Sequence, residues 1–116
     1  MRYLIAALLL AGCEARLPQH EPISGGNPTK GKDLIVHFGC GSCHTIKGIP
    51  GATATVGPPL QDLRKRVYLG GVLPYTPDHL AKWIVDPSQF AEKTAMPAVG
   101  ATEAQARDIA AYLYLR

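Results

Sequence analysis

The five residues Cys40-Gly41-Ser42-Cys43-His44 constrain this chain more than any other feature. Two cysteines spaced C-x-x-C and followed at once by histidine form the pattern of c-type haem attachment. The spacing suits the chemistry. Two thiols so placed can add to the two vinyl groups on one side of a porphyrin, and the next imidazole is then held under the iron. Gly39 and Gly41 would let the backbone lie against the ring edge, where a side chain would collide. Two rivals remain. A zinc centre needs two further ligands, and His20, His37 and His79 are scattered without finger spacing. A thioredoxin-like redox pair needs a βαβ context that the sequence lacks.

The amino terminus bears on that choice. Met1-Arg2 is a short positive segment, Tyr3 to Leu10 an apolar run, and Ala11-Gly12 places small residues before Cys13. The run is too short to span a bilayer as a helix. It resembles a bacterial lipoprotein signal over residues 1–12, which makes Cys13 the lipidated first residue of the mature chain. The alternative is an ordinary cleaved secretory signal with an incidental cysteine. Either route exports the chain and takes Cys40 and Cys43 out of the reducing cytosol. The lipoprotein reading anchors it to the extracytoplasmic, or periplasmic, face of a membrane.

A chain of 116 residues holds one domain. Residues 13–28 carry Pro18, Pro22, Gly25, Gly26 and Pro28 with little apolar periodicity, and read as a flexible tether. Such a coil would reach roughly 20–25 Å on average. Residues 29–116 form the domain. Asn27-Pro28 starts a helix, with Leu34, Ile35 and Phe38 at helical spacing and Gly39 at its end. Thr45 to Pro59 is loop, and Leu60 to Val67 is a candidate short helix. Thr76-Pro77-Asp78 starts another helix, with Leu80, Trp83 and Ile84 on one face. Asp86-Pro87 interrupts it, and a short helical turn can restart there. Thr102 and Gln105 have capping-box spacing ahead of Ala106, Ile109, Ala110 and Leu113. No strand and no repeat is evident. The expected fold is all-α, about four helices and long loops wrapped around one covalent haem.

The net charge of +3 is modest, and only Arg64-Lys65-Arg66 is clustered. This points away from nucleic acid and leaves room for an acidic protein partner.

An iron held by one histidine has either an open second face or a second protein ligand, and that choice decides function. Met96, the only methionine after Met1, lies in the non-helical Thr94-Ala95-Met96-Pro97 between two helical segments. Its distance along the chain permits return to the other face of the ring. The alternative is a methionine filling a gap in the core.

From about Gly31 to Leu115 the sequence resembles a class I cytochrome c. The resemblance rests on the attachment motif, Gly57-Pro58-Pro59-Leu60, Trp83-Ile84-Val85-Asp86-Pro87, Met96-Pro97 and Ala110-Ala111-Tyr112-Leu113. It is most similar to the cytochrome domains associated with terminal oxidases. The resemblance implies one haem c bound through Cys40 and Cys43, with His44 and Met96 as iron ligands. It implies that the Pro58 carbonyl engages the other nitrogen of His44, and that Arg66, Tyr75 and Trp83 bond the propionates. It also packs the first and last helices together, bringing Gly31, Leu34 and Ile35 against Ile109 and Tyr112.

With both axial positions filled, the expected activity is electron transfer between respiratory donor and acceptor proteins, including a terminal oxidase, and not enzymatic catalysis. Lys47, Lys65, Lys82 and Lys93 would surround the exposed haem edge. Two other functions stay open: a fixed haem subunit of a larger oxidoreductase, and a haem enzyme or gas sensor with a displaceable Met96.

Overall fold

The computed structural model describes residues 16–116. The expected signal at residues 1–12 and Cys13 lie outside the described residues. Three α-helices frame the domain: α1, Pro28–His37; α2, Pro77–Val85; and α3, Glu103–Tyr114. Long loops join them, interrupted by single 3₁₀ turns at Cys40–Ser42, Leu63–Lys65 and Pro87–Gln89.

Each α-helix begins where local chemistry dictates. The Asn27 side chain accepts from the Lys30 amide at 3.1 Å, and Pro28 opens the helix. Thr76 accepts from the His79 amide at 3.1 Å ahead of Pro77. Thr102 and Gln105 complete a reciprocal capping box at 3.1 and 2.9 Å.

α3 is the centre of the molecule. It packs on both α1 and α2, and Ala106, Ile109, Ala110, Tyr112 and Leu113 are buried along it. Gly31 is where α1 meets it: a Cβ on that residue would stand 1.9 Å from the Asp108 carbonyl oxygen. Ile35, Ile109 and Tyr112 share the same core, as the helix-packing expectation requires. The Tyr112 hydroxyl reaches beyond it and donates to the Lys47 carbonyl at 2.9 Å. An ion pair between Arg107 and Asp78 at 3.1 Å links α3 to the first turn of α2.

Three expectations are corrected. Residues 60–67 form no α-helix but only the 3₁₀ turn at Leu63–Lys65, because Asp62 takes a left-handed conformation with φ 53°. A short antiparallel pair is present: β1, Tyr68–Leu69, and β2, Leu73–Pro74, with Tyr68 opposite Pro74 and Leu69 opposite Leu73. Gly70 and Gly71, both at positive φ, make the turn between them.

The third correction concerns the tether, part of which is docked on the domain. Glu21 and Ser24 are buried, and Leu17 packs against the core. The Glu21 carboxylate accepts from the Ser24 amide at 2.6 Å and from Arg64 at 3.0 Å. The Asn27 amide donates to Asp108 at 2.8 Å, and Arg107 donates to the Ser24 carbonyl at 3.0 Å.

Candidate haem site

The attachment residues lie on the 3₁₀ turn that follows α1. Gly39 at φ 72° redirects the chain out of the helix, and the His44 amide closes the turn on the Cys40 carbonyl at 3.1 Å. Gly41 is needed here for a reason other than the ring edge: a Cβ would lie 2.8 Å from that of Ala52. The loop 45–60 folds back over this turn. The Ile46 amide bonds the Ala52 carbonyl at 3.0 Å, the Gly57 amide the Cys43 carbonyl at 2.7 Å, and the Leu60 amide the Thr45 carbonyl at 2.9 Å.

That return brings Gly57 and Pro58 against His44. The Nδ1 of the buried His44 lies 2.7 Å from the Pro58 carbonyl oxygen. A carbonyl only accepts, so Nδ1 carries the proton and Nε2 keeps its lone pair for a metal. Gly57 is the shelf beneath the ring, since a Cβ there would stand 2.3 Å from Cε1. No role for Gly57 follows from the sequence alone, although its place ahead of Pro58-Pro59 was a visible signal.

Cys40 and Cys43 are free thiols, both half-buried. Burial pushes the Cys40 pKa up, with Cys43 adding to the rise and a backbone hydrogen bond opposing it. A low-pKa redox dithiol needs the reverse. Among the described residues no three His, Cys, Asp or Glu side chains converge as a metal centre would require, so the zinc reading lacks its ligands. Two free thiols beside an imidazole with a committed tautomer fit a covalently held porphyrin.

A second group of expected site residues lies around Met96. The Trp83 indole N–H donates to the Met96 sulfur at 3.1 Å. The ring of Trp83 is capped by Gly70, whose Cβ would fall 2.5 Å from Cη2. The Arg66 guanidinium donates to the Pro59 carbonyl, bracing the loop that holds His44 and keeping other N–H groups for a further acceptor. Tyr75 packs near Tyr114, ring centroids 6.5 Å apart. Burial, and secondarily Tyr114, push its pKa up to about 12 against the pull of Arg66, so its hydroxyl keeps its proton. Cys40, Tyr75 and Met96 all border one hydrophobic core with Trp83.

A small helical fold with long loops around a thiol-thiol-imidazole turn defines a class of protein that attaches haem covalently. The sequence profile of the cytochrome c family matches residues 28–114, and the chain belongs to that family. Its cofactor is a covalently attached haem c, with Cys40 and Cys43 at the attachment spacing. A comparison with curated protein sequences found no match.

Proposed function

We propose that this protein is a monohaem electron carrier, tethered through Cys13 to the extracytoplasmic face of a bacterial membrane. It passes single electrons from respiratory donors to a terminal oxidase or a related acceptor. The haem supplies a one-electron Fe(II)/Fe(III) couple.

The observation that carries this reading is the His44–Pro58 contact at 2.7 Å, which commits one imidazole nitrogen and leaves the other for iron. A hydrogen bond at the second nitrogen also orients the ring and raises its basicity. Met96 supports the closed second face: its thioether is half-buried beside the core and held by Trp83. A soft thioether favours the reduced state and leaves no position for a substrate. Lys47, Lys65, Lys82 and Lys93 are all exposed, and scattered cations of this kind steer a carrier toward acidic partners.

The test is spectroscopic. The reduced protein at neutral pH should be low-spin and inert to carbon monoxide, and the oxidised protein should show a Met-to-iron charge-transfer band. Rapid carbon monoxide binding overturns the carrier reading in favour of an enzyme or sensor. Acylation of Cys13, read by mass spectrometry of the mature amino terminus, tests the anchor. Membrane complexes that co-purify with the tagged protein and exchange electrons with it would identify the partners, and stable co-purification after detergent extraction would mark a fixed subunit.

A further inference from the structure

Three of the exposed large apolar side chains, Val67, Tyr68 and Val72, belong to one hairpin and are 72, 67 and 50 % exposed. The hairpin is firmly held. Gly70 lies on the Trp83 ring, and the Pro74 carbonyl is 2.7 Å from Nδ1 of His79. The hairpin root is basic, formed by Arg64-Lys65-Arg66, with the Lys65 side chain 80 % exposed and in a long, solvent-exposed ion pair with Asp62 at 3.7 Å.

The docked amino-terminal segment runs to this root. Glu21 pairs with Arg64 at 3.0 Å, and Leu17 packs on the core. Four residue steps separate Leu17 from Cys13, a span of at most about 14 Å. Whatever surface holds an acylated Cys13 therefore lies close to the side of the domain where this segment docks, and Arg64 joins that side to the hairpin.

We propose that the hairpin Val67–Pro74, with the basic run at its root, is a second membrane contact that seats on anionic phospholipid headgroups beside the lipid anchor. The proposal extends the tethered reading given above. Its chemistry is that of interfacial binding, in which apolar side chains and a tyrosine enter the headgroup boundary while lysine and arginine meet lipid phosphates. Lipid anchors often act with such a basic patch. The contact would limit the orientations of the anchored domain and so the direction in which its haem edge faces.

The test uses the exported, haem-loaded Cys13→Ser chain, which has no acyl group, in flotation with phosphatidylglycerol-phosphatidylcholine vesicles and with phosphatidylcholine alone. Binding to the anionic vesicles that falls with salt is the expected result. Lys65→Gln should weaken it roughly five-fold. The combined variant Val67→Ser, Tyr68→Ser and Val72→Ser should weaken it at least about ten-fold, with an unchanged haem spectrum showing that the fold is intact. Val36→Ser, exposed on α1, should leave binding unchanged. No binding to anionic vesicles, or equal binding by the hairpin variant, overturns the proposal. So does a hairpin variant that floats normally but exchanges electrons more slowly with an acidic partner protein, since the face would then be a protein-docking site. The anchor is judged separately: an unacylated Cys13 removes the tether but not vesicle binding, and an acylated Cys13 without vesicle binding removes only the hairpin contact.

Discussion

The indole nitrogen of Trp83 donates to the sulfur of Met96 at 3.1 Å, so a residue of α2 holds the thioether of a loop thirteen residues further on. A donor on sulfur withdraws electron density and makes it a weaker ligand, and the oxidised metal suffers most from that loss. The bond should therefore raise the reduction potential. Trp83→Phe keeps the ring and deletes the donor. It should lower the potential by roughly 20–60 mV, equivalent to one hydrogen bond of about 0.5–1.5 kcal/mol. Redox titration checks this. An unchanged potential would mean that the sulfur is not an iron ligand or that the indole bonds elsewhere once haem is attached.

The shelf beneath His44 admits no side chain. In Gly57→Ala the new methyl would sit 2.3 Å from Cε1, so the ring must turn and its Nδ1 must leave the Pro58 carbonyl. The expected protein still carries haem on Cys40 and Cys43 but loses part of its low-spin character, and it melts lower by the equivalent of about 1–3 kcal/mol. Absorption spectra and a thermal melt measure the two effects. Pro58→Ala is the control, because it keeps the backbone carbonyl that His44 uses.

What the sequence made legible was local. The caps at Asn27, Thr76 and Thr102 act within three residues, and all three helices start where those residues stand. The attachment motif is contiguous, and the Pro58 acceptor followed from family resemblance. What escaped depends on long-range contact or on elements too short to have a period. Two-residue strands cannot show alternation, although Gly70-Gly71 between apolar residues was a readable turn signal. Nothing near Glu21 announces its burial, because its partner Arg64 is 43 residues away. Arg107 is 83 residues from the Ser24 carbonyl it holds. The bonds of Arg66 to Pro59 and of Trp83 to Met96 are set by side-chain direction, which spacing does not encode.

The Glu21 clasp makes the docked segment sensitive to acid. Burial alone would raise the carboxyl pKa, but hydrogen bonds from the Ser24 and Ile23 backbone and the Arg64 charge outweigh it and hold it below its ordinary 4.5. A depressed carboxylate contributes stability that is present above the unfolded value and is lost as pH falls through the lower folded value. Proteolytic cleavage within residues 16–26 should therefore accelerate as the pH drops below that range, by a protease active in acid. Glu21→Gln should expose the same segment at neutral pH, costing about 1–2 kcal/mol once the partial exposure of Arg64 is allowed for. It should also flatten the pH dependence. Equal cleavage of both proteins at neutral pH would show that the clasp does not hold the segment.

Gly31 sets how closely α1 and α3 approach, and the cost of changing it can be separated from the cost of losing a single polar contact between α3 and its surroundings. In Gly31→Ala the methyl would stand 1.9 Å from the Asp108 carbonyl oxygen and 3.0 Å from the Ile109 nitrogen, both backbone atoms that cannot rotate aside. The helices must separate, which loosens Ile35 against Ile109 and strains the Asn27–Asp108 bond. Alanine's better helix propensity returns only about 1 kcal/mol. The net loss should be at least about 2–3 kcal/mol. Tyr112→Phe removes only the hydroxyl that bonds the Lys47 carbonyl at 2.9 Å, and should cost about 1 kcal/mol. Denaturation midpoints of the two haem-loaded variants measure the difference. If Gly31→Ala were the milder of the two, the close crossing of α1 and α3 would not be what holds the core together.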